Sequence, residues 1–141
     1  MLVNSTPKKL LSSEKKNFLT TKYNEVNVRN GPGLNHLLLF KILHKGYPIM
    51  VIRELDNWKQ VVDFEGRNGW IASSQLSSKD HRILKIMEEK IHKFPDSSSK
   101  VLAIAKKHII FKVLKCRKKW CKIERLEIKG WVKKNSLWGG K

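Results

Sequence analysis

The chain has 141 residues, 40% of them hydrophobic, and carries 30 Lys and Arg against 12 Asp and Glu, a formal charge of +18. That apolar fraction excludes wholesale disorder, and no apolar run approaches the ~18 residues a bilayer span requires. The charge points towards polyanions, namely nucleic acid, anionic headgroups or the polymers of a cell envelope, while lysines that serve only solubility stay an open alternative.

Residues 1–17 form a polar, lysine-rich tail, "MLVNSTPKKLLSSEKKN", without the ~7–15-residue apolar core of a secretory signal. From Phe18 the segments turn short and rich in β-formers: "EVNVR", "LLLFKIL", "IMVIREL", "KQVVDF" and "GWIAS". Turn chemistry separates them, in "NGPG", "HKGYP", "LDN" and "EGRNG", with Gly expected to supply positive φ. "VNVR" alternates as a half-buried strand does, Val26 and Val28 inward, Asn27 and Arg29 outward. "KILHKGYPIMVI" reads as two strands around a Gly-containing turn, and "WKQVVDFEGRNGW" as a hairpin with its tip at Glu65–Asn68. Closely spaced short strands of this kind predict a small all-β barrel.

The pattern then returns. Trp58 and Trp120 stand 62 residues apart, Trp70 and Trp131 61, Leu76 and Leu137 61, and Pro32 and Pro95 63. "GYPIMVIRELDNW" lies over "HIIFKVLKCRKKW" without a gap, so Ile49 falls on Phe111 and Val51 on Val113. A duplication is the reading that fits, with barrels at 18–79 and 80–141. One segment is ambiguous: in "SSKDHRILKIMEEK" Ile83, Ile86, Met87 and Ile91 are near helical spacing, with Ser78 or Asp80 as a cap. The repeat register instead lays Ile83–Met87 on the strand Phe18–Lys22, and strand is the preferred reading.

The motifs "EVNVRNGPG", "RELDNWKQVVDFEGRNGW" and "KGWVKKNSLWGG" resemble the bacterial SH3-like domain family. More narrowly, the chain resembles tandem SH3-like proteins of the alphaproteobacterial exported type. The second copy departs from the pattern where "IHKFPDS" replaces "NVRNGPG" and the Gly pair is lost. The resemblance implies two tandem small SH3-like β-barrels acting as a binding or scaffolding module for peptide or peptidoglycan, in the periplasm or otherwise exported. The alternative is a cytosolic binder of nucleic acid or another anionic polymer, through lysines of the tail and the second copy. Of the 30 cations only six are Arg, which argues against base-specific readout.

Candidate ligand-binding residues are Arg29, Asn30, Trp58 and Trp70. Trp58 and Trp120 read as groove aromatics or as anchors of the barrel. Trp70 and Trp131 follow Gly and read more as packing residues, and Trp138 as a closure of the second barrel. Arg29 and Asn30 flank a restricted turn and suit a carboxylate or carbonyl, unless the Gly residues only make the turn. Asp63, Glu65 and Arg67 read as a solvated hairpin tip.

Cys116 and Cys121 flank "RKKW", a four-residue loop that would set them opposite each other on neighbouring strands. A disulfide there favours an oxidising compartment, and the missing signal is reconciled by a true N-terminus upstream of Met1; two reduced thiols are the alternative. Glu54 and Lys59 occupy the aligned sites, where a cross-strand ion pair is expected. The five His residues are scattered, and no zinc spacing, phosphate loop or catalytic set is readable, so neither a cofactor, a metal nor enzymatic activity is expected.

Overall fold

The computed structural model describes residues 16–140. The tail read over residues 1–17 lies, apart from its last two residues, outside the described residues. The first sheet is built from β1 (Asn17–Thr21), β2 (Val26–Arg29), β3 (Leu38–Ile42), β4 (Pro48–Leu55), β5 (Trp58–Val62), β6 (Asn68–Ala72) and β7 (Leu76–Ser77). The second uses β8 (His81–Leu84), β9 (Glu88–His92), β10 (Val101–Lys106), β11 (Ile110–Arg117), β12 (Trp120–Arg125), β13 (Ile128–Lys133) and β14 (Leu137–Trp138). Both are antiparallel and share one topology, β3-β2-β6-β5-β4-β1-β7 and β10-β9-β13-β12-β11-β8-β14. Each sheet wraps a core of its own, but neither ladder closes into a full barrel. The two-residue β7 pairs only with β1, and β14 only with β8, so each sheet keeps two edges.

Alternation along the strands builds the cores. Val26, Val28, Ile49, Val51, Val61 and Ile71 fill the first, with Leu84, Ile91, Phe111, Cys121, Ile123 and Val132 in the second. Burial of such side chains stabilises by about 1.5–3 kcal/mol each. The segment with helical spacing is two strands, with Ile83 and Ile91 buried while Ile86 and Met87 are exposed between them. Its first strand is His81–Leu84, two residues earlier than the register expectation. The pairing of Ile83 with Ile110 and Arg82 with Phe111 sets that position.

Both drifts of the repeat fall in loops. The spacing between equivalent residues changes from 63 to 62 between β3 and β4, where 43–47 corresponds to 106–109, one residue fewer. It changes from 62 to 61 between β5 and β6, where 63–67 corresponds to 125–128, again one residue fewer. In the longer loop the tip Glu65–Asn68 is exposed as expected, but Asp63 at its base is not. Asp63 is buried, and its carboxylate accepts from the backbone N–H of Glu65 (3.0 Å) and Arg67 (2.9 Å), from Arg67 Nε (2.8 Å) and from the Tyr47 hydroxyl (2.9 Å). Burial and the Asp63 charge hold the Tyr47 phenol above its ordinary pKa, against the opposing hydrogen bond to Arg67.

The repeats dock on each other. Trp138 pairs by backbone with Ile83, but its ring meets first-repeat residues, Phe18 edge-on at 5.0 Å and Phe64 at 6.2 Å. His108 Nε2 lies 2.9 Å from Glu65 Oε2 beside them. Gly139, at φ +115°, packs on Pro48, where an added Cβ would sit 3.0 Å from the ring carbon. Trp138 therefore does more than close the second sheet; it joins the two.

Candidate binding face

Directly opposed residues on antiparallel strands share a face, so the ladders themselves assemble the site. Arg53 pairs with Gln60, Gln60 with Trp70, and Trp70 with Arg29, which sets these four in a row across the outer face of the first sheet. The next row is Leu55, Trp58 and Ala72. Arg53 Nε donates to Gln60 Oε1 (2.6 Å) and its guanidinium carbon stands 5.7 Å above the Trp70 ring, a cation–π contact. Trp58 and Trp70 are both half-buried. Beside Trp58 opens a hollow of about 750 Å³, lined also by Arg29, Asn27, Leu34, Ala72 and Gln75.

One wall of that hollow is the loop 30–37. Asn30 N donates to Leu37 O (2.8 Å), His36 N to Gly33 O (3.2 Å), and Arg29 Nη1 to His36 O (3.1 Å). Contrary to the expectation from turn chemistry, neither Gly31 nor Gly33 has positive φ. Gly31 is favoured instead by close approach, because a Cβ there would lie 2.3 Å from Nδ1 of the exposed His36 and the ring would have to turn aside. The second repeat shows the reason. Lys93 N bonds Lys100 O (2.8 Å) and Ser99 N bonds Asp96 O (3.0 Å), the same loop with Phe94 at the place of Gly31 and Ser99 at that of His36. His92 replaces Arg29 and holds the loop from Nδ1, 3.1 Å from Ser99 O.

Of the four candidate residues, Arg29, Trp58 and Trp70 come together on this face. Asn30 is exposed on the loop, with its backbone committed to Leu37. Arg53, Gln60 and Leu34 belong to the face and were missed. The hairpin register alone places Gln60 opposite Trp70, so that signal was available. Leu34, 77% exposed at the loop tip, had no such signal. The Gly before each Trp lets β6 and β13 approach their neighbours, since a Cβ on Gly69 would sit 2.5 Å from Val28 Cγ1 and one on Gly130 2.6 Å from Ile91 Cγ2.

The equivalent row in the second repeat is Lys115, Lys122, Trp131 and His92. There Trp131 is buried beneath Lys115 and Arg117, whose charges stand 5.9 and 5.4 Å from the ring centre. Trp120 is half-buried and meets His92 edge-on at 5.5 Å. On the inner face Cys116 pairs with Cys121 at a Cα separation of 4.0 Å, and the two form a disulfide. The turn between them is tighter than the four-residue loop expected, because pairing continues to Arg117 and Trp120 around Lys118, at φ 54°. Glu54 and Lys59 form the expected ion pair at the same place in the first repeat, at 2.9 Å.

Residues 22–78 and 90–139 each match the family described as Bacterial SH3 domain. The chain belongs to the bacterial SH3 domain family. Each of its two SH3 copies corresponds to one seven-stranded sheet. No curated relative matches the chain. Among solved structures it is similar to NlpC2 from Trichomonas vaginalis (13% identity, TM-score 0.40), covering 90% of this chain and 49% of that one. It is also similar to NlpC1 from Trichomonas vaginalis (13%, 0.39; 90% and 47%) and to an NlpC/P60 family protein from Bacillus cereus (12%, 0.40; 88% and 57%). This SH3 pair thus spans about half the length of those proteins. Among the described residues, no helix is long and apolar enough to cross a membrane.

Proposed function

We propose that this tandem SH3 protein is a non-catalytic binding module that takes an extended peptide, such as the peptide of peptidoglycan, across the outer face of its first repeat. The division falls at 18–79 and 80–141, and the protein works in the oxidising envelope outside the cytosol. The observation that carries the reading is the row Arg53–Gln60–Trp70–Arg29 beside Trp58 and its hollow. Two half-exposed indoles offer apolar contact to a chain, while the amide and guanidinium groups offer donors to its carbonyl and carboxylate oxygens. The Cys116–Cys121 bridge supports the compartment.

Co-sedimentation with purified peptidoglycan tests this in the parent protein and in Trp58→Ala. A central aromatic contact is worth about 2 kcal/mol, so roughly thirtyfold weaker binding is expected with the circular dichroism spectrum unchanged. Equal binding by the folded variant overturns the reading.

A further inference from the structure

The two repeats share a backbone, so a difference in chemistry at equivalent positions is not a requirement of the fold. The sharpest such difference lies where the β4–β5 turn meets the end of β6. In the first repeat Ser73 N donates to Asn57 O (2.8 Å), which brings Asp56 and Asn57 beside Ala72 and Ser73. In the second, Lys134 N donates to Lys119 O at the same 2.8 Å, and the four equivalent residues are Lys118, Lys119, Lys133 and Lys134. A corner of charge −1 has become one of +4.

All four lysines are exposed, and none takes part in an ion pair among the described residues. They rim a groove of about 990 Å³ that Trp120 also lines. Gathering four like charges raises the electrostatic energy of the folded state unless an anion is bound there. Two further cations line the groove, Lys16 and Arg82. Arg82, its one arginine, is buried and already neutralised, its Nε and Nη2 donating to the two carboxylate oxygens of Asp80 (3.0 and 3.1 Å). No free guanidinium fork is therefore left to read base edges. Phe18, the groove's other aromatic, is engaged by Trp138, so only one ring is offered, whereas single-stranded nucleic acids are held on successive aromatics.

We infer that this corner of the second repeat is a binding site for an anionic glycan, a sugar chain with acidic groups at short intervals. The lysines take the acidic groups and the Trp120 indole packs against a sugar ring. The site is separate from the first-repeat face.

The test is calorimetric titration of the full chain with a heparin-derived octasaccharide. Inorganic polyphosphate, a neutral chitin oligosaccharide and a 15-nucleotide oligothymidylate serve as comparisons. The octasaccharide should bind and the neutral oligosaccharide should not. The surface double variant Lys119→Glu/Lys134→Glu should weaken octasaccharide binding on the order of tenfold or more, while Trp58→Ala leaves it unchanged. Trp120→Ala should weaken the octasaccharide severalfold and leave polyphosphate unaffected. Undiminished octasaccharide binding by the double variant overturns the site. Oligothymidylate binding more tightly than the octasaccharide overturns the glycan in favour of nucleic acid. Should Trp120→Ala fail to fold, the double variant decides.

Discussion

Gly31 shows how one residue's constraint depends on its neighbour. Its φ is ordinary, so the cost of a side chain there comes from the His36 ring, 2.3 Å from the Cβ position. Because His36 is exposed and its ring can turn aside, Gly31→Ala should destabilise the protein by only about 0.5–1.5 kcal/mol, the cost of holding a side chain off its preferred rotamer. The second repeat accommodates Phe94 at that place opposite Ser99, so His36→Ser should remove most of the cost. Urea unfolding of both single variants and the double variant measures the coupling, and additive effects would refute it. Asp63 teaches the same lesson. Its composition suggests an exposed tip, yet four donors converge on it and draw it inside.

At the scale of elements, the two copies of the long hairpin hold one register by different means. The β4–β5 pair uses an ion pair between Glu54 and Lys59, and the β11–β12 pair a disulfide between Cys116 and Cys121. An exposed ion pair contributes at most about 1 kcal/mol and weakens with salt. Closing so short a loop covalently contributes about 2 kcal/mol by chain entropy. Dithiothreitol should therefore lower the urea-unfolding free energy by about 2 kcal/mol without abolishing the fold. Core residues such as Phe111 and Ile123 remain in place to hold the hairpin. Complete unfolding on reduction would show that the bridge carries more than register.

For the whole molecule, Trp138 decides whether the repeats unfold together. Its ring meets both Phe18 and Phe64, with Gly139 packed on Pro48 beside it. Trp138→Ala should cost about 2–3 kcal/mol, below the range for a fully buried Trp, and split one calorimetric transition into two. A single unshifted transition would refute the coupling. The junction also predicts a pH dependence. His81 packs against Gly46 of the first repeat, with its Nδ1 buried and without a partner. Burial lowers its pKa below the ordinary 6.5, outweighing Asp80, with Lys112, Lys79 and His44 adding to the lowering. The neutral form is thus favoured in the fold. Its stabilisation is present above pH 6.5 and is lost as pH falls through the lowered value. Thermal unfolding between pH 7.5 and 5 should show this loss, and His81→Gln should flatten it. The carboxylates held low, Glu88 by Lys106 and Asp96 by Ser98, respond only below their ordinary 4.5 and 3.8.

The chain's own order of residues determined the strands, the duplication and the cross-strand partnership of Cys116 with Cys121, because period-two alternation and hairpin register are local. Residues a few positions apart across a tight turn have few other partners to choose. Arg29, Trp58 and Trp70 were legible as candidates by the same means, since ladder pairing carries them to one face. The tertiary structure alone decided that Trp138 reaches the other repeat, that Gly31 answers to His36, and that four lysines from two separate segments form one corner. In the last case the carrier is the backbone hydrogen bond from Lys134 to Lys119, one step beyond the β12–β13 pair Trp120–Lys133, at a hairpin mouth where the chain turns away to either side. It also left the sheets open at two-residue strands, where too little backbone is available to join both edges.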